Sequence, residues 1–272
     1  MADADANSLD ATILTRDAAL LKDTVRDAGA LARSMFRTEL KKWTKGASSP
    51  VSEADIAVND LLESRLRAAT PDYGWLSEES ADDSTRLSRR LVWVVDPIDG
   101  TRNYLNGHDE WCVSVALVEN SAPVLAAVFA PTSNEFFFAA RGQRTLLNDR
   151  PVQATSGSSL DFSRMSGPKP MVERLNAAGG DIKLHPRIGS LALRLCRVAH
   201  GALDAAFAGG NSHDWDLAAA DLIVQEAGGR MSDLSGDPIL YNRREVTHGV
   251  LVAAGRDRHA SIVAHFRNRP LP

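Results

Sequence analysis

The sequence predicts an α/β fold with a largely antiparallel sheet in its first half and a helix-covered sheet in its second. Three observations carry this reading. Long stretches near the start repeat their apolar residues at helical spacing. Consecutive short β-type runs in the middle are separated only by turn signals. Strand-like and helix-like segments then alternate toward the end.

Over residues 9–36 the apolar side chains Ile13, Leu20, Leu21, Val25 and Leu31 recur at helical spacing, which predicts one long amphipathic helix. Residues 41–50 are polar and contain Gly46 and Pro50, so they predict a loop. A second helix is predicted over 52–69, with Ile56, Leu61, Leu62 and Leu66 as its buried stripe. Ser52 is its candidate N-cap, although Asp55 stands where a capping box usually has Glu or Gln. Residues 91–95 (Leu-Val-Trp-Val-Val) are apolar, rich in β-branched side chains, and end at Asp96-Pro97. That is the pattern of a buried strand delivering an aspartate at its carboxyl end. Strands are also predicted over 112–118, 124–129 and 135–140. The turn signals Glu119-Asn120 and Pro131-Thr132 between them favour an antiparallel meander.

The polar link 141–151 is the best candidate boundary. It divides the chain into an N-terminal domain, 1–150, carrying most candidate metal ligands, and a C-terminal domain, 151–272. Beyond it, helices are predicted over 190–208 and 216–227, with Gly228-Gly229 as a stop signal. A strand over 249–254 and a closing helix over 258–267 complete the pattern.

The formal charge of −4 leaves no basic footprint for a nucleic-acid polymer or a membrane surface. No stretch reaches the roughly 20 apolar residues needed to span a bilayer. Residues 1–10 carry three aspartates and no basic residue, and read as a loose polar start instead of a signal peptide. Cys112 and Cys196 lack the close spacing of a metal knuckle or redox pair. Two thiols with apolar flanks imply a reducing compartment, hence a cytoplasmic enzyme.

The segment Asp96-Pro97-Ile98-Asp99-Gly100-Thr101 is the most informative. Two carboxylates three residues apart leave a strand through a turn, where Pro97 fixes φ and Gly100 relaxes it. Both side chains and the Ile98 carbonyl can then aim at one point, while Gly100 and Thr101 offer backbone N–H groups. Oxygen-only ligands of this kind suit a hard cation such as Mg²⁺. Glu78-Glu79 also follows a short apolar run, and by itself reads equally as a solvated acidic loop. Asp214-Trp215-Asp216 opens a predicted helix, where a capping role is the simplest reading.

Taken together, three segments resemble the inositol monophosphatase superfamily of lithium-sensitive phosphatases. They are Ser77-Glu78-Glu79-Ser80, then Trp93-Val94-Val95-Asp96-Pro97-Ile98-Asp99-Gly100-Thr101, then Trp215-Asp216 followed by Ala218, Ala219, Ala220 and Glu226-Ala227-Gly228-Gly229. Their order and separations match, and the likeness runs from about residue 17 to 255. The resemblance implies an αβαβα sandwich, commonly a homodimer. It implies a Mg²⁺-dependent phosphatase with two or three ions, Mn²⁺ as a substitute and Li⁺ as an inhibitor. One ion would be held by Glu78, Asp96 and the Ile98 carbonyl, and a second by Asp96, Asp99 and Asp216. A third, weaker ion would lie near Glu78 and Asp55. Glu78, Thr101, Asp55 and Glu79 would form the catalytic set, with Glu78 and Thr101, backed by Asp55, orienting the attacking water. Asp99, Gly100, Thr101, Arg102, Gly189, Ser190 and Asp216 would contact the substrate.

The substrate is expected to be a small phosphorylated metabolite. Inositol-phosphate members usually carry a Glu shortly before the Trp-Asp pair, where this chain has Gly209-Gly210-Asn211. Arg102 after Asp99-Gly100-Thr101, the segments Asp109-Glu110-Trp111 and Gly209-Gly210, and the stretch 237–242 look more like 3'(2'),5'-bisphosphate nucleotidases. His185 and Arg187 are possible contacts to a 5'-phosphate. Asn103-Tyr104 resembles instead the Asn-Phe of inositol phosphatases, so inositol 1-phosphate, or another sugar or histidinol phosphate, stays open. A phosphate-binding regulatory protein without catalysis is the reading from another class.

Overall fold

In the computed structural model, residues 11–45, 49–177 and 181–268 are described; the polar start at 1–10 and part of the predicted loop, 46–48, lie outside them. Helix α1 (Ala11–Met35) is followed by a hairpin of β1 (Lys42–Lys45) and β2 (Ser49–Ser52), where a loop was expected. Trp43 and Thr44 favour extended backbone and pair across to Val51 and Pro50, which overrides the polar composition. Helix α2 (Glu53–Ala69) starts at the predicted cap. Ser52 and Asp55 form the capping box after all, with Asp55 Oδ2 accepting from the Ser52 N–H at 2.8 Å.

The first sheet holds β3 (Gly74–Ser77), β4 (Leu91–Asp99), β5 (Cys112–Glu119), β6 (Ala122–Ala130), β7 (Glu135–Ala140), β8 (Leu146–Leu147) and β9 (Arg150–Pro151) in sequence order. The meander is antiparallel as predicted, and only β3 runs parallel to its neighbour β4. A short helix, α3 (Thr101–Leu105), follows β4. The second, mixed sheet has the order β11-β10-β12-β16-β14. Its elements arrive as β10 (Arg164–Ser166), α4 (Lys169–Asn176), β11 (Lys183–Leu184), α5 (Leu191–Ala199) and β12 (Ala205–Ala208). Then come β13 (Ser212–His213), α6 (Asp214–Glu226), β14 (Gly229–Asp233), β15 (Thr247–His248), β16 (Leu251–Gly255) and α7 (Arg256–Asn268).

The helix expected over 190–208 therefore stops at Ala199. Gly201, at φ +74°, turns the chain, and Ala205–Ala208 serves as a central strand between β10 and β16. Its alanines fit a helix by propensity, and sheet pairing overrides that preference.

Strand alternation builds the layers. Trp93, Val95, Val115 and Leu117 face one way, against Leu21 and Val25 of α1 and Val58 and Leu62 of α2. Val92, Val94, Ala116 and Val118 face the other, against α5 and α6. The same helices cover Ala206, Ala253 and Met231 of the second sheet, whose outer face carries α4 and α7. The result is an αβαβα sandwich. The first sheet is buried on both faces, which is why Leu91–Val95 reads as an unbroken apolar run.

Candidate active site

Strand β4 runs four residues past its predicted end, and its register against β5 shifts between Asp96 and Asp99. Pro97 and Ile98 oppose a single residue there, a bulge at the one place where a proline has no N–H to give. The bulge turns Asp96 and Asp99 toward the same point. Pairing of β3 with β4 adds the next acid: the Glu78 N–H donates to the Val95 carbonyl at 3.2 Å, holding Glu78 alongside Asp96. Helix α6 supplies Asp216, whose Oδ2 caps the His213 N–H at 2.6 Å.

Carboxylate oxygens of Asp96, Asp99 and Asp216 lie within 4.8 Å of one another. They open with Glu78, Ile98, Gly100, Thr101, Arg102 and Gly189 onto a cleft of about 520 Å³. Asp99 Oδ2 is anchored from the second half of the chain, accepting from Ser190 Oγ and the Ala192 N–H, each at 2.5 Å. Thr101 Oγ1 donates to Asp55 Oδ1 at 3.0 Å. Gly100 takes φ +95°, and a Cβ there would sit 3.1 Å from the Glu110 carbonyl, so the turn requires glycine.

So many acids in one place strain their charged forms. Burial pushes the Asp96 carboxyl well above its ordinary value, with Glu78, Asp99 and Asp216 adding repulsion. Burial and the Asp216 charge raise Glu78 to about 8. Asp99 rises to about 6 for the same two reasons, against the bonds from Ser190 and Ala192. Asp96 Oδ1 is buried without a hydrogen-bond partner. A buried carboxylate oxygen in that position calls for a cation. Oxygen donors alone, with converging negative charge, fit a hard divalent ion.

Of the residues singled out in the sequence, Glu78, Asp96, Ile98, Asp99, Gly100, Thr101, Arg102, Gly189 and Asp216 converge on the cleft. Asp55 stands behind Thr101, with Oδ2 engaged by Ser52 and Oδ1 by Thr101. Ser190 is buried beneath the cleft against Asp99. Glu79 does not line the cleft; its buried carboxylate pairs with Lys45. Arg187 reaches the cleft as well, and His185 does not.

Two flanking segments lie elsewhere. Asp109 pairs with Arg37 at 3.2 Å, and Trp111 packs edge-on to Tyr104. Tyr241 bonds to Asp221 at 3.0 Å, and the Asn242 N–H to Asp214 Oδ2 at 2.7 Å. These contacts support the fold. Sequence reasoning missed Lys45 and Asn106, and it singled out Asn103 only by resemblance, without placing it in the cleft. Lys45 bonds the Glu78 carbonyl at 2.8 Å, and its signal was the basic run Lys41-Lys42-Trp43-Thr44-Lys45 read as a loop. Asn103 and Asn106 line the cleft. Cys112 and Cys196 are both buried and neither is in a disulfide; Cys112 Sγ lies 3.2 Å from Ser190 Oγ.

The model of the inositol monophosphatase family matches residues 14–271. The chain is 39% identical to the Nus factor SuhB of Xylella fastidiosa, over 80% of this chain and 82% of that protein. It is 31% identical to an inositol monophosphatase of Mesembryanthemum crystallinum (79% and 84% covered). Identity is 30% to the 3'(2'),5'-bisphosphate nucleotidase CysQ of Aggregatibacter actinomycetemcomitans (83% and 88% covered). Among solved structures, an inositol monophosphatase of Thermotoga maritima superposes with a TM-score of 0.77 at 26% identity, covering 93% of this chain and 97% of that one.

Proposed function

Because this chain belongs to the inositol monophosphatase family, metal-dependent phosphatases of phosphate monoesters, we propose that it is a Mg²⁺-dependent phosphomonoesterase whose leading substrate is 3'-phosphoadenosine 5'-phosphate. One observation carries the metal assignment: three carboxylates within 4.8 Å of one another, one of them with a buried, partnerless oxygen, at the floor of a cleft. Asp96, Asp99, Asp216, Glu78 and the Ile98 carbonyl hold the ions. Bound there, Mg²⁺ supplies charge neutralisation for the phosphoryl oxygens and a lowered pKa for water.

The chain's own groups do the rest. Glu78 and Thr101 hold the attacking water in line with the phosphorus, and Asp55 fixes the Thr101 hydroxyl by accepting its hydrogen bond. The Gly100 and Thr101 N–H groups bind the phosphate oxygens. Glu79 acts from behind, through Lys45, on the position of Glu78. Gly189 shapes the wall that meets the sugar, Ser190 acts from beneath it by holding Asp99, and Arg102 faces a second phosphate at the mouth.

Support for the nucleotide comes from Arg102 and from the absence of an acid at Gly209-Gly210-Asn211. Inositol 1-phosphate is the second reading, favoured by the 31% identity to an inositol monophosphatase. The name of the 39% relative mentions no substrate. A non-catalytic phosphate binder would have no need for the full set Glu78, Asp96, Asp99, Thr101 and Asp216 in one cleft. A homodimer acting in the cytoplasm, inhibited by Li⁺ and tolerant of Mn²⁺, completes the proposal. No helix among the described residues is long and apolar enough to cross a membrane.

Phosphate release with Mg²⁺ from 3'-phosphoadenosine 5'-phosphate and from inositol 1-phosphate tests the reading. A kcat/KM preference of about a hundredfold for the nucleotide, roughly 2.7 kcal/mol of transition-state discrimination, is expected. The reverse preference rejects the nucleotide reading and leaves the phosphatase.

A further inference from the structure

The closing helix, α7, carries Arg256, Ala260, Ala264 and Arg267 at helical spacing, so the four share one face. That face borders a cavity of about 370 Å³, which Arg230 of β14 and Gly236 in the following turn line from the other side. The small side chains of Ala260 and Ala264 leave the room between the two arginines. None of the described residues lining this cavity is acidic, and none of them lines the cleft.

The three arginines are exposed, and none has a carboxylate partner among the described residues. Arg230 Nη2 donates to the Gly236 carbonyl at 3.0 Å, and Arg267 Nε to the Ser235 carbonyl at 2.5 Å. Gly236 takes φ +85°, and a Cβ there would stand 3.0 Å from Arg267 Nη2, so glycine admits the guanidinium. Two like charges thus meet at one turn, where carbonyls engage their donors without neutralising them. Asp233, an acid of the same turn, uses Oδ1 to accept from the Ser235 and Asp237 N–H groups. Arg256 is the first residue of α7, where a positive charge opposes the helix dipole. Burial, and then the charge of Arg230, lower His259 in the cavity wall to about 4, so it stands neutral. The charge around the hollow is therefore that of three guanidinium groups, in a protein of net charge −4.

We propose that this cavity binds a small oligophosphate anion at a site distinct from the cleft. Arg256 and Arg267 stand roughly 16 Å apart along the helix, a span that suits a chain of phosphates better than a single one. One end of the anion meets Arg230 and Arg267, and the other meets Arg256. Each guanidinium can offer paired N–H groups to phosphate oxygens. Helix α6 carries Asp216 in its first turn and leads into β14 at its far end, roughly 19 Å along. An anion held by Arg230 is thus a ligand remote from the metal ligands, not a substrate.

The test is calorimetric titration of the Mg²⁺-loaded protein with tripolyphosphate, at constant free Mg²⁺, with sulfate at matched ionic strength as the control. Tripolyphosphate is expected to bind at least tenfold more tightly than sulfate. Arg256→Glu should weaken that binding tenfold or more. Its side chain bonds to nothing described and the new charge suits the helix dipole, so the melting temperature should hold or rise. Arg267→Gln should weaken binding as well, whereas Arg102→Gln, in the cleft, should not.

Equal affinity in wild type and Arg256→Glu overturns the site. So does a loss in Arg102→Gln without one in Arg256→Glu, which would place the anion in the cleft. A short single-stranded RNA at equal phosphate concentration completes the comparison. Weaker binding than tripolyphosphate supports the small anion, and tighter binding would make the patch a reader of polymer backbone and overturn the assignment.

Discussion

Thr101 Oγ1 lies 3.0 Å from Asp55 Oδ1 and 3.0 Å from the Ile98 carbonyl, so one hydroxyl proton faces two acceptors on the protein side. With its proton committed there, the hydroxyl can meet a water in the cleft only as an acceptor. That gives the water a fixed direction, which the proposed in-line attack requires. Thr101→Ala is therefore expected to lower kcat on the order of a hundredfold, within the range for positioned proton-handling groups, with KM changed only a few-fold. Thr101→Ser should keep most of the activity. Steady-state kinetics on any turned-over phosphomonoester decides it, and an alanine variant with more than half the wild-type kcat rules the role out.

Asp96 brings a sharper contrast between stability and turnover. Its carboxylate is fully buried, repelled by Glu78, Asp99 and Asp216, and has one oxygen without a partner. Removing that charge relieves the metal-free protein while removing the ligand that the proposed ions share. Asp96→Asn should thus abolish turnover and raise the metal-free melting temperature. Mg²⁺ at a hundred times its Kd should stabilise the wild type by about 2.7 kcal/mol and the variant by far less. A variant that keeps full activity would reject the metal assignment.

Much of this site was legible in the chain, for local reasons. Asp96 and Asp99 stood out because a run of β-branched residues delivers them, and the bulge that turns them together needs only Pro97 and Gly100 nearby. Glu78 was not legible by itself. What aims it is the parallel pairing of β3 with β4, a contact between strands separated by a 3₁₀ turn at Ser84–Ser88. Asp214 and Asp216 looked alike as caps, and tertiary contacts divide them. Asp214 is buried, bound by the Asn242 N–H and by His248, while Asp216 faces the cleft. The αβαβα order was beyond periodicity, because both faces of β4 are apolar and pattern alone cannot say which helix covers which. The helix misassigned over 200–208 fails for the same reason: its alanines have no local preference for the strand that β10 and β16 impose.

Gly189 and Asn103 meet at the cleft wall more closely than any larger pair could. A Cβ on Gly189 would stand 2.0 Å from Asn103 Nδ2, far inside contact distance, so one of the two must move. Gly189→Ala should raise KM by displacing Asn103 from that wall, and Asn103→Ala should recover most of the loss when the two are combined. Neighbouring residues that share a space typically couple by about 0.5–3 kcal/mol, and a double-mutant cycle on kcat/KM should fall in that range. Additive effects would mean that the wall adjusts elsewhere.

The acids also set how stability responds to pH in the absence of metal. Burial, with help from Asp216 and Glu79, raises Glu78 from 4.5 to about 8 in the folded protein. Burial and Asp216 raise Asp99 from 3.8 to about 6. A raised acid means that the folded chain holds protons which the unfolded chain has released. By linkage, the stability associated with those protons is fully present below about pH 4 and is lost as pH rises toward about 8. The metal-free melting temperature should therefore fall across that window, and Glu78→Gln should flatten the upper part of the fall. Mg²⁺ removes the need for those protons, so the rise in melting temperature on adding it should be larger at pH 8 than at pH 5. Thermal melts of wild type and Glu78→Gln, with and without Mg²⁺ at both pH values, check the sign. A metal-induced rise of equal size at the two pH values would show that these carboxyls do not carry the pH dependence.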